Sequence, residues 1–505
     1  MHVAGWKPWP WFSRDQFQSL STALSRPELS MSATTMLQMA DGVLIVVPDS
    51  LNLITPYVLQ EQHDWFEDEI KFVRHLLNPG DHVMDIGANY GVYTLSMARA
   101  VGASGRVWSF EPASETANLL AAGISANEFS QVVLERYAVS STSGVAKLSL
   151  NDNSELNALL AGPPDSGRHE EVPLVTLDGF MDRAELKHLD FLKMDAEGEE
   201  ANILKGGERF FSELSPLVQY EVKAAAEVHT ELAEAFDGLG FRSYRLVPGL
   251  NMLVPFTVGS SLDPYLLNLF SCQPDRAQQL ADRGLLLMEA VSLSSSGPQA
   301  DEERIERALV SGQHDWTQTI ARRPYGVQLA SLWRDTVALG DSTQVVQALS
   351  LYELSRDEAV ASSDRFDALK ASLALLKNLC QPQSSYLRLA SLARVATEIG
   401  ERQLAVNSLR QLAMEISLHQ RADPSEPFLV PGLRFEAISP RDGNIGNWIF
   451  AAVLEEMERL ESYSSFYSGT SSLQRLELIQ KLGYGSEEMG RRLHLVQQRF
   501  GLQVP

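Results

Sequence analysis

From residue 83 to about 223, short apolar runs alternate with stretches in which apolar residues recur at helical spacing. "HVMDIG", "GRVWSFEP", "VVLERYAVS", "LDFLKMDAEG" and "PLVQYEV" read as strands one to five. "GVYTLSMARAV", "SETANLLAAGISAN" and "EEANILKGGERFF" read as helices between them. The alternation predicts an α/β fold with a parallel sheet covered by helices on both faces. "GFRSYRLVPGLNMLVPF" then reads as two strands around Pro248-Gly249, an antiparallel hairpin ending the parallel sheet. That ending departs from the usual dinucleotide-binding pattern.

Upstream, "TTMLQMADGVLIVV" predicts a β-hairpin with Asp41-Gly42 as a type I′ turn. In "DWFEDEIKFVRHLL", Phe66, Ile70, Val73 and Leu77 mark one helix face, with acids early and basic residues late. Downstream, the composition of residues 292–304 is that of a linker, and mostly helical patterns follow. One pair is joined at Gly400 and another lies around Gly340. Degenerate tetratricopeptide units and an ordinary all-α domain fit them equally. The expected domains are residues 1–80 as a hairpin-and-helix cap, 81–255 as the α/β domain, 256–300 as a connecting segment and 301–505 as an α-helical domain.

The formal net charge of −23 over 505 residues argues against general nucleic-acid or anionic-membrane binding. Its plainer consequence is solubility. Two cysteines, Cys272 and Cys380, allow one bridge at most and fit a reducing compartment. The first residues lack the pattern of a signal peptide, and no apolar run is long enough to span a bilayer. A cytoplasmic protein is expected.

Ligands of open α/β sheets bind at the carboxyl ends of the strands. Strand one ends on Asp85 and the turn from Gly87 through Ala88 and Asn89 to Gly91. Strand two ends on Glu111-Pro112, strand three near Tyr137-Ala138, strand four on Asp195, Glu197 and Gly198, and strand five on Glu221. Four of these five ends carry carboxylates. The turn lacks the Lys-Ser/Thr of a phosphate loop, and an acidic rim does not suit phosphate. It suits a cationic ligand with a ribose, such as S-adenosylmethionine. Glu111, about 20 residues beyond the glycine turn, stands where an acid accepts ribose hydroxyls. Asp85 would face the methionine end.

"DIGANYGVYTLSMAR", "FEPASETANLL", "VTLDGF", "FLKMDAEGEEANILKGGERFF" and "VQYEV" occur in an order that resembles the FkbM-type S-adenosylmethionine-dependent methyltransferases, over roughly residues 80–255. The resemblance implies a Rossmann-like class I methyltransferase sheet of seven strands with the last antiparallel, and methylation of hydroxyls on sugars, glycans or related natural products. By resemblance, Asp85, Gly87 and Gly91 match the first cofactor motif, Glu111 the ribose-binding acid, and Asp195 with Glu197 the acid pair after strand four. Ala88, Asn89, Pro112 and Ala138 join the expected cofactor contacts. The resemblance does not reach the last two hundred residues. Position alone gives those helices a partner, an oligomer contact or a large acceptor to hold.

Asp195, Glu197 and Glu221, with His229 behind them, are the candidates to take a hydroxyl proton. The three acids would also suit Mg²⁺, although no spacing requires a metal. Each feature has a plainer reading. The glycines could serve only a tight turn, and Asp195 and Glu197 a helix N-terminus and a solvated face. Glu221 could pair with a lysine. Asp178 reads as a helix N-cap, Asn157 as a loop amide and His63 as structural or exposed. "WKPWPWF" reads as a packed N-terminal arm more readily than a sugar platform. The rival functions are a nicotinamide-dependent oxidoreductase, which would not need acids after strand four, a non-catalytic interaction protein working through its helices, and transfer to nitrogen or a carboxylate.

Overall fold

The computed structural model describes residues 33–160, 167–224, 227–228, 230–257, 262–288, 316–338, 342–380 and 387–502. The aromatic stretch at residues 6–12, His229 and the linker at 292–304 lie outside them. The chain forms two compact units. The first comprises Met1–Asp49, Leu77–Arg245 and Phe256–Arg276, and the second Ser50–Leu76, Leu246–Pro255 and Ala277–Pro505.

The first unit is built on a sheet of β1 (His82–Ile86), β2 (Arg106–Phe110), β3 (Val132–Glu135), β4 (Phe191–Met194), β5 (Leu217–Glu221), β6 (Arg242–Val247) and β7 (Asn268–Cys272). Their spatial order is β3-β2-β1-β4-β5-β7-β6, and Met252–Pro255 adds an eighth strand beyond β6, one more than the seven expected. The first five run parallel. β7 runs antiparallel to both β5 and β6. The hairpin region supplies two strands as expected, Arg242–Val247 and Met252–Pro255. The antiparallel strand between β5 and β6 is instead Asn268–Cys272, within the expected connecting segment 256–300.

Successive strand residues point to opposite faces, and the two faces differ. Met84 lies opposite Trp108 and Leu192, and Leu192 opposite Val218. This row packs in one apolar core with Phe180, Phe211 and Phe236 from the helices Leu177–Arg183, Glu208–Leu214 and Glu231–Gly238. One residue further on, Asp85 lies opposite Ser109 and Lys193, and Lys193 opposite Gln219. All four are buried. A parallel sheet covered on both sides ordinarily reads as continuous apolar strands, so this polar row is a departure. It meets Tyr93 and Thr94 of the helix Val92–Val101.

Three local expectations change. The hairpin Thr34–Gln38/Leu44–Pro48 forms, but Gly42 is its positive-φ residue at +86° while Asp41 is not. Gly42 N–H donates to Met39 O and Met39 N–H to Val43 O. This is a three-residue loop ending in a glycine bulge rather than a type I′ turn, which needs positive φ at both central residues. Beyond β3 the chain leaves the main sheet. Ala138–Val139, expected as the end of strand three, instead joins Gly144–Ser149 and His169–Val175, where a polar loop was expected, in a separate three-stranded sheet. The helix after β4 divides into Glu200–Lys205 and Glu208–Leu214. The break falls at Gly206, where a Cβ would stand 2.3 Å from Ser140 O.

The second unit is helical. Pro324–Ala338, Thr343–Arg356, Ser362–Leu379, Arg388–Ile399, Arg402–His419 and Ile445–Ser462 follow one another, and Gly400 at φ +89° closes Arg388–Ile399 as its sequence position implied. Tyr325, Trp333, Phe428 and Trp448 share an aromatic core. Ile54–Gln62 also belongs to this unit: its buried Glu61 stands 3.5 Å from the buried Arg492, which Glu458 and Glu488 approach to 3.7 and 3.0 Å. Among the described residues no helix is long and apolar enough to cross a membrane. Both cysteines are free thiols, pushed up to about 12 by burial.

Candidate active site

β1 delivers Asp85 into the interior. Its Oδ2 accepts Thr94 Oγ1 at 2.6 Å, and Thr94 Oγ1 lies 2.8 Å from Ser109 Oγ. Its Oδ1 is buried without a hydrogen-bond partner. Burial raises the Asp85 carboxyl above the usual range, while the Lys193 ammonium and the Thr94 hydroxyl act the other way. A buried acceptor left unpaired costs about 1–3 kcal/mol.

The turn after β1 is held by protein as well as shaped for a ligand. Gly87 has φ +81°, and a Cβ there would lie 1.7 Å from Asp195 O. Asp195 N–H in turn donates to Ile86 O at 3.1 Å. Gly87 therefore lets the β1 turn lie directly on the chain leaving β4. Gly91, at φ +91°, leaves room for Leu120 and opens the helix Val92–Val101. Gly87 N–H and Ala88 N–H both donate to Phe110 O, tying the turn to the end of β2.

Glu111 follows β2 and is buried. Its Oε2 accepts Asn89 N–H at 2.9 Å and its Oε1 accepts Ala113 N–H at 2.8 Å. Burial pushes its carboxyl up to about 7 against these two bonds. A carboxylate has about four acceptor positions, so Glu111 keeps acceptor capacity beyond its two amides. Asn89, at φ +50°, accepts Ser154 Oγ at 2.9 Å.

β4 and β5 supply the acids opposite. A side-chain oxygen of each of Asp195, Glu197 and Glu221 can be chosen so that all three lie within 4.8 Å of one another. Lys193, two residues before Asp195 on the same face of β4, donates to Asp195 Oδ2 at 2.7 Å. Its ammonium lies 4.8 Å from the Tyr93 ring centroid, and Gln219 Nε2 donates to Tyr93 Oη at 3.0 Å. Glu197 and Gly198 both have positive φ, in a turn closed by Glu200, whose carboxylate accepts Ala196 N–H and Gly198 N–H. Partial withdrawal from water, then the charges of Asp195, Glu200 and Glu155, raise the Glu197 carboxyl above its usual range although the residue stays exposed. Three carboxylates this close can share a proton or hold a hard divalent cation.

The other expected residues divide. Pro112 is half-buried after Glu111. Ala138 sits in the small sheet and packs with Ala113, Leu148 and Val172, at one remove from the acids. Asp178 is not the cap of its own helix. Thr176 holds that position, accepting Gly179 N–H at 3.0 Å, while Asp178 accepts Phe210 N–H at 2.8 Å and so caps the helix Glu208–Leu214. Asn157 Oδ1 accepts Asn151 N–H within its loop, and His63 is an exposed helix C-cap at φ +59°. Lys193 and Gln219 were missed. Their signal was a polar residue inside an otherwise apolar strand, two positions before a strand-end acid.

The strand order, the antiparallel β7 and the acid-bearing ends of β1, β2, β4 and β5 define a class I methyltransferase fold. Residues 85–243 match the family model described as the methyltransferase FkbM domain, and this segment is an S-adenosylmethionine-dependent methyltransferase domain of that kind. No curated protein sequence matches the chain. Similar solved structures include a methyltransferase FkbM from Methylobacillus flagellatus KT, 17% identical, covering 45% of this chain and 56% of that one at a TM-score of 0.26. This chain thus spans little more than half of that protein. An S-adenosylmethionine-dependent O-methyltransferase from Thermotoga maritima is 16% identical, covering 47% and 77% at 0.24. An rRNA methylase from Streptococcus thermophilus is 12% identical, covering 41% and 93% at 0.24. These likenesses are too slight to bear on substrate.

The residues present suit the methyl donor. Glu111 retains acceptor capacity for a ribose diol, Asp85 Oδ1 is an unpaired buried acceptor, and the Asp195, Glu197 and Glu221 group favours a cation.

Proposed function

We propose that the protein transfers a methyl group from S-adenosylmethionine to a hydroxyl of an uncharged, polyhydroxylated acceptor, a sugar or glycan. The observation that carries this reading is the convergence of Asp195, Glu197 and Glu221. In this reading Glu111 binds the ribose hydroxyls, and Asp85 faces the methionine end. Gly87, Ala88, Asn89 and Gly91 form the floor under the donor.

Bound there, S-adenosylmethionine supplies a methyl group on a good leaving group. The chain's own task is to hold the acceptor oxygen in line and to take its proton, and positioning of this kind supplies much of the rate. Asp195 accepts the proton as the carbon–oxygen bond forms. Glu197 and Glu221 share it, since carboxylates this close cannot all ionise freely. The same acids disfavour an acceptor carrying phosphate, which argues for a neutral hydroxyl over a nucleic acid.

The test is transfer of labelled methyl from S-adenosylmethionine to a panel of free sugars, sugar phosphates and RNA. Labelling of neutral sugars that is lost in Asp195→Asn supports the reading, and labelling of RNA alone overturns it. Magnesium added to chelator-treated protein separates proton acceptance by the three acids from a role in holding a cation.

A further inference from the structure

Lys193 is not among the acids that define the site, yet its surroundings point toward it. Its side chain is 7% exposed in the middle of a strand, where an ammonium is costly unless paired. On either side of it in the sheet stand Asp85 and Gln219, each with a buried oxygen that has no hydrogen-bond partner, Asp85 Oδ1 and Gln219 Oε1. The Lys193 charge favours the ionised form of Asp85, and its Nζ donates along the strand to Asp195 Oδ2 at 2.7 Å, toward the carboxyl edge. Tyr93, tied to Gln219, walls the ammonium from the helix side.

The backbone of Asp195 is fixed independently, by its N–H bond to Ile86 and by the approach of Gly87 to its carbonyl. That leaves the side-chain torsions as the free variables at this residue. The Asp195 side chain is 35% exposed, so without a partner it would sample several rotamers in water. We propose that Lys193 is a positioning residue that fixes the direction of the Asp195 carboxylate toward the donor and acceptor. Asp85, Tyr93 and Gln219 hold its ammonium in place. The inference rests on the reading of Asp195 as an acid of the donor and acceptor site.

The experiment is a double-mutant cycle on the full chain, titrating S-adenosylmethionine by calorimetry into the wild type, Asp195→Asn, Lys193→Met, the double variant and Lys193→Arg. A charge-assisted hydrogen bond corresponds to roughly tenfold or more in affinity. Asp195→Asn and Lys193→Met are each expected to weaken binding by about that factor. The double variant should be no weaker than Asp195→Asn alone, and Lys193→Arg should recover most of the loss. Losses that multiply in the double variant, or wild-type binding by Lys193→Met beside a weakened Asp195→Asn, overturn the inference. Wild-type binding by Asp195→Asn overturns the underlying reading instead. Melting midpoints accompany every variant. If Lys193→Met does not fold, Lys193→Gln, which keeps a hydrogen-bond donor without the charge, gives the same cycle.

Discussion

Around Arg492 in the helical unit, Glu61, Glu458 and Glu488 converge on one buried guanidinium, and nearby Glu455 takes both Arg434 and Arg459. At the strand ends of the other unit, Lys193 pairs with Asp195 and acts on Asp85 and Glu197, Glu221 lies beside Asp195 and Glu197, and Glu111 follows β2. Both regions bury ionisable groups. In the helices acids and bases interlock, and the network serves the fold. In the sheet the carboxylates outnumber the lysine; Asp85 Oδ1 there and Glu458 Oε1 in the helices both lack a hydrogen-bond partner, but Glu458 Oε1 lies 3.7 Å from Arg492 Nη1. Under the proposed function it is the excess of acid over base at the strand ends that receives a cation, and buried charge as such marks no site.

The comparison can be broken from either side. Arg492→Met leaves carboxylates buried without their partner and should cost about 3–5 kcal/mol of stability. Chemical denaturation reads that loss, and donor binding by the folded fraction should be unchanged. Altered binding would blur the distinction between the two clusters. Asp195→Asn should do the reverse, lowering methyl transfer by roughly 10²–10⁴-fold with the melting midpoint nearly kept. Glu111→Gln keeps the side chain's shape but loses the charge-assisted bonds to Asn89 and Ala113 and to a ribose. It should weaken S-adenosylmethionine by about 1.5–3 kcal/mol in calorimetry, whereas a purely structural Glu111 would leave the affinity intact.

The smallest effect is a pH dependence. The Glu111 carboxyl is raised from 4.5 to about 7 in the folded protein. Below its unfolded value the folded state keeps the full stabilisation of the protonated acid, and this is lost as pH rises through the folded value. The ligand-free first unit should therefore be less stable near pH 8 than near pH 5 as far as Glu111 contributes. Ribose hydroxyls bind the ionised form, so donor affinity should rise over the same interval, with proton release visible as a buffer-dependent heat. Affinity that falls with pH would contradict Glu111 as the ribose acid.

What was legible in the sequence follows from the same contrast. Asp85, Glu111, Asp195 and Glu221 were readable because an acid that ends an apolar run breaks the pattern where ligands bind. Lys193 and Gln219 lie inside their strands and become conspicuous only when register sets them beside Asp85. The place of Asn268–Cys272 between β5 and β6 is a long-range choice that no local pattern encodes. The strands Gly144–Ser149 and His169–Val175 are partly solvated and so read as loop. Asp178 looked like a cap because it is one, but the amides it caps come from Arg209 and Phe210, about thirty positions later.

The missing side chain at Gly87 carries a consequence for anyone redesigning this protein. Under the proposed function, with the β1 turn resting on the Asp195 carbonyl, the donor floor and the edge that would face the acceptor share one contact point. Acceptor range cannot be retuned by shifting the end of β4 without disturbing the donor as well. Changes confined to side chains away from this contact leave it alone, whereas the Ser154–Leu156 turn is itself tied to the floor through Ser154 Oγ and Asn89.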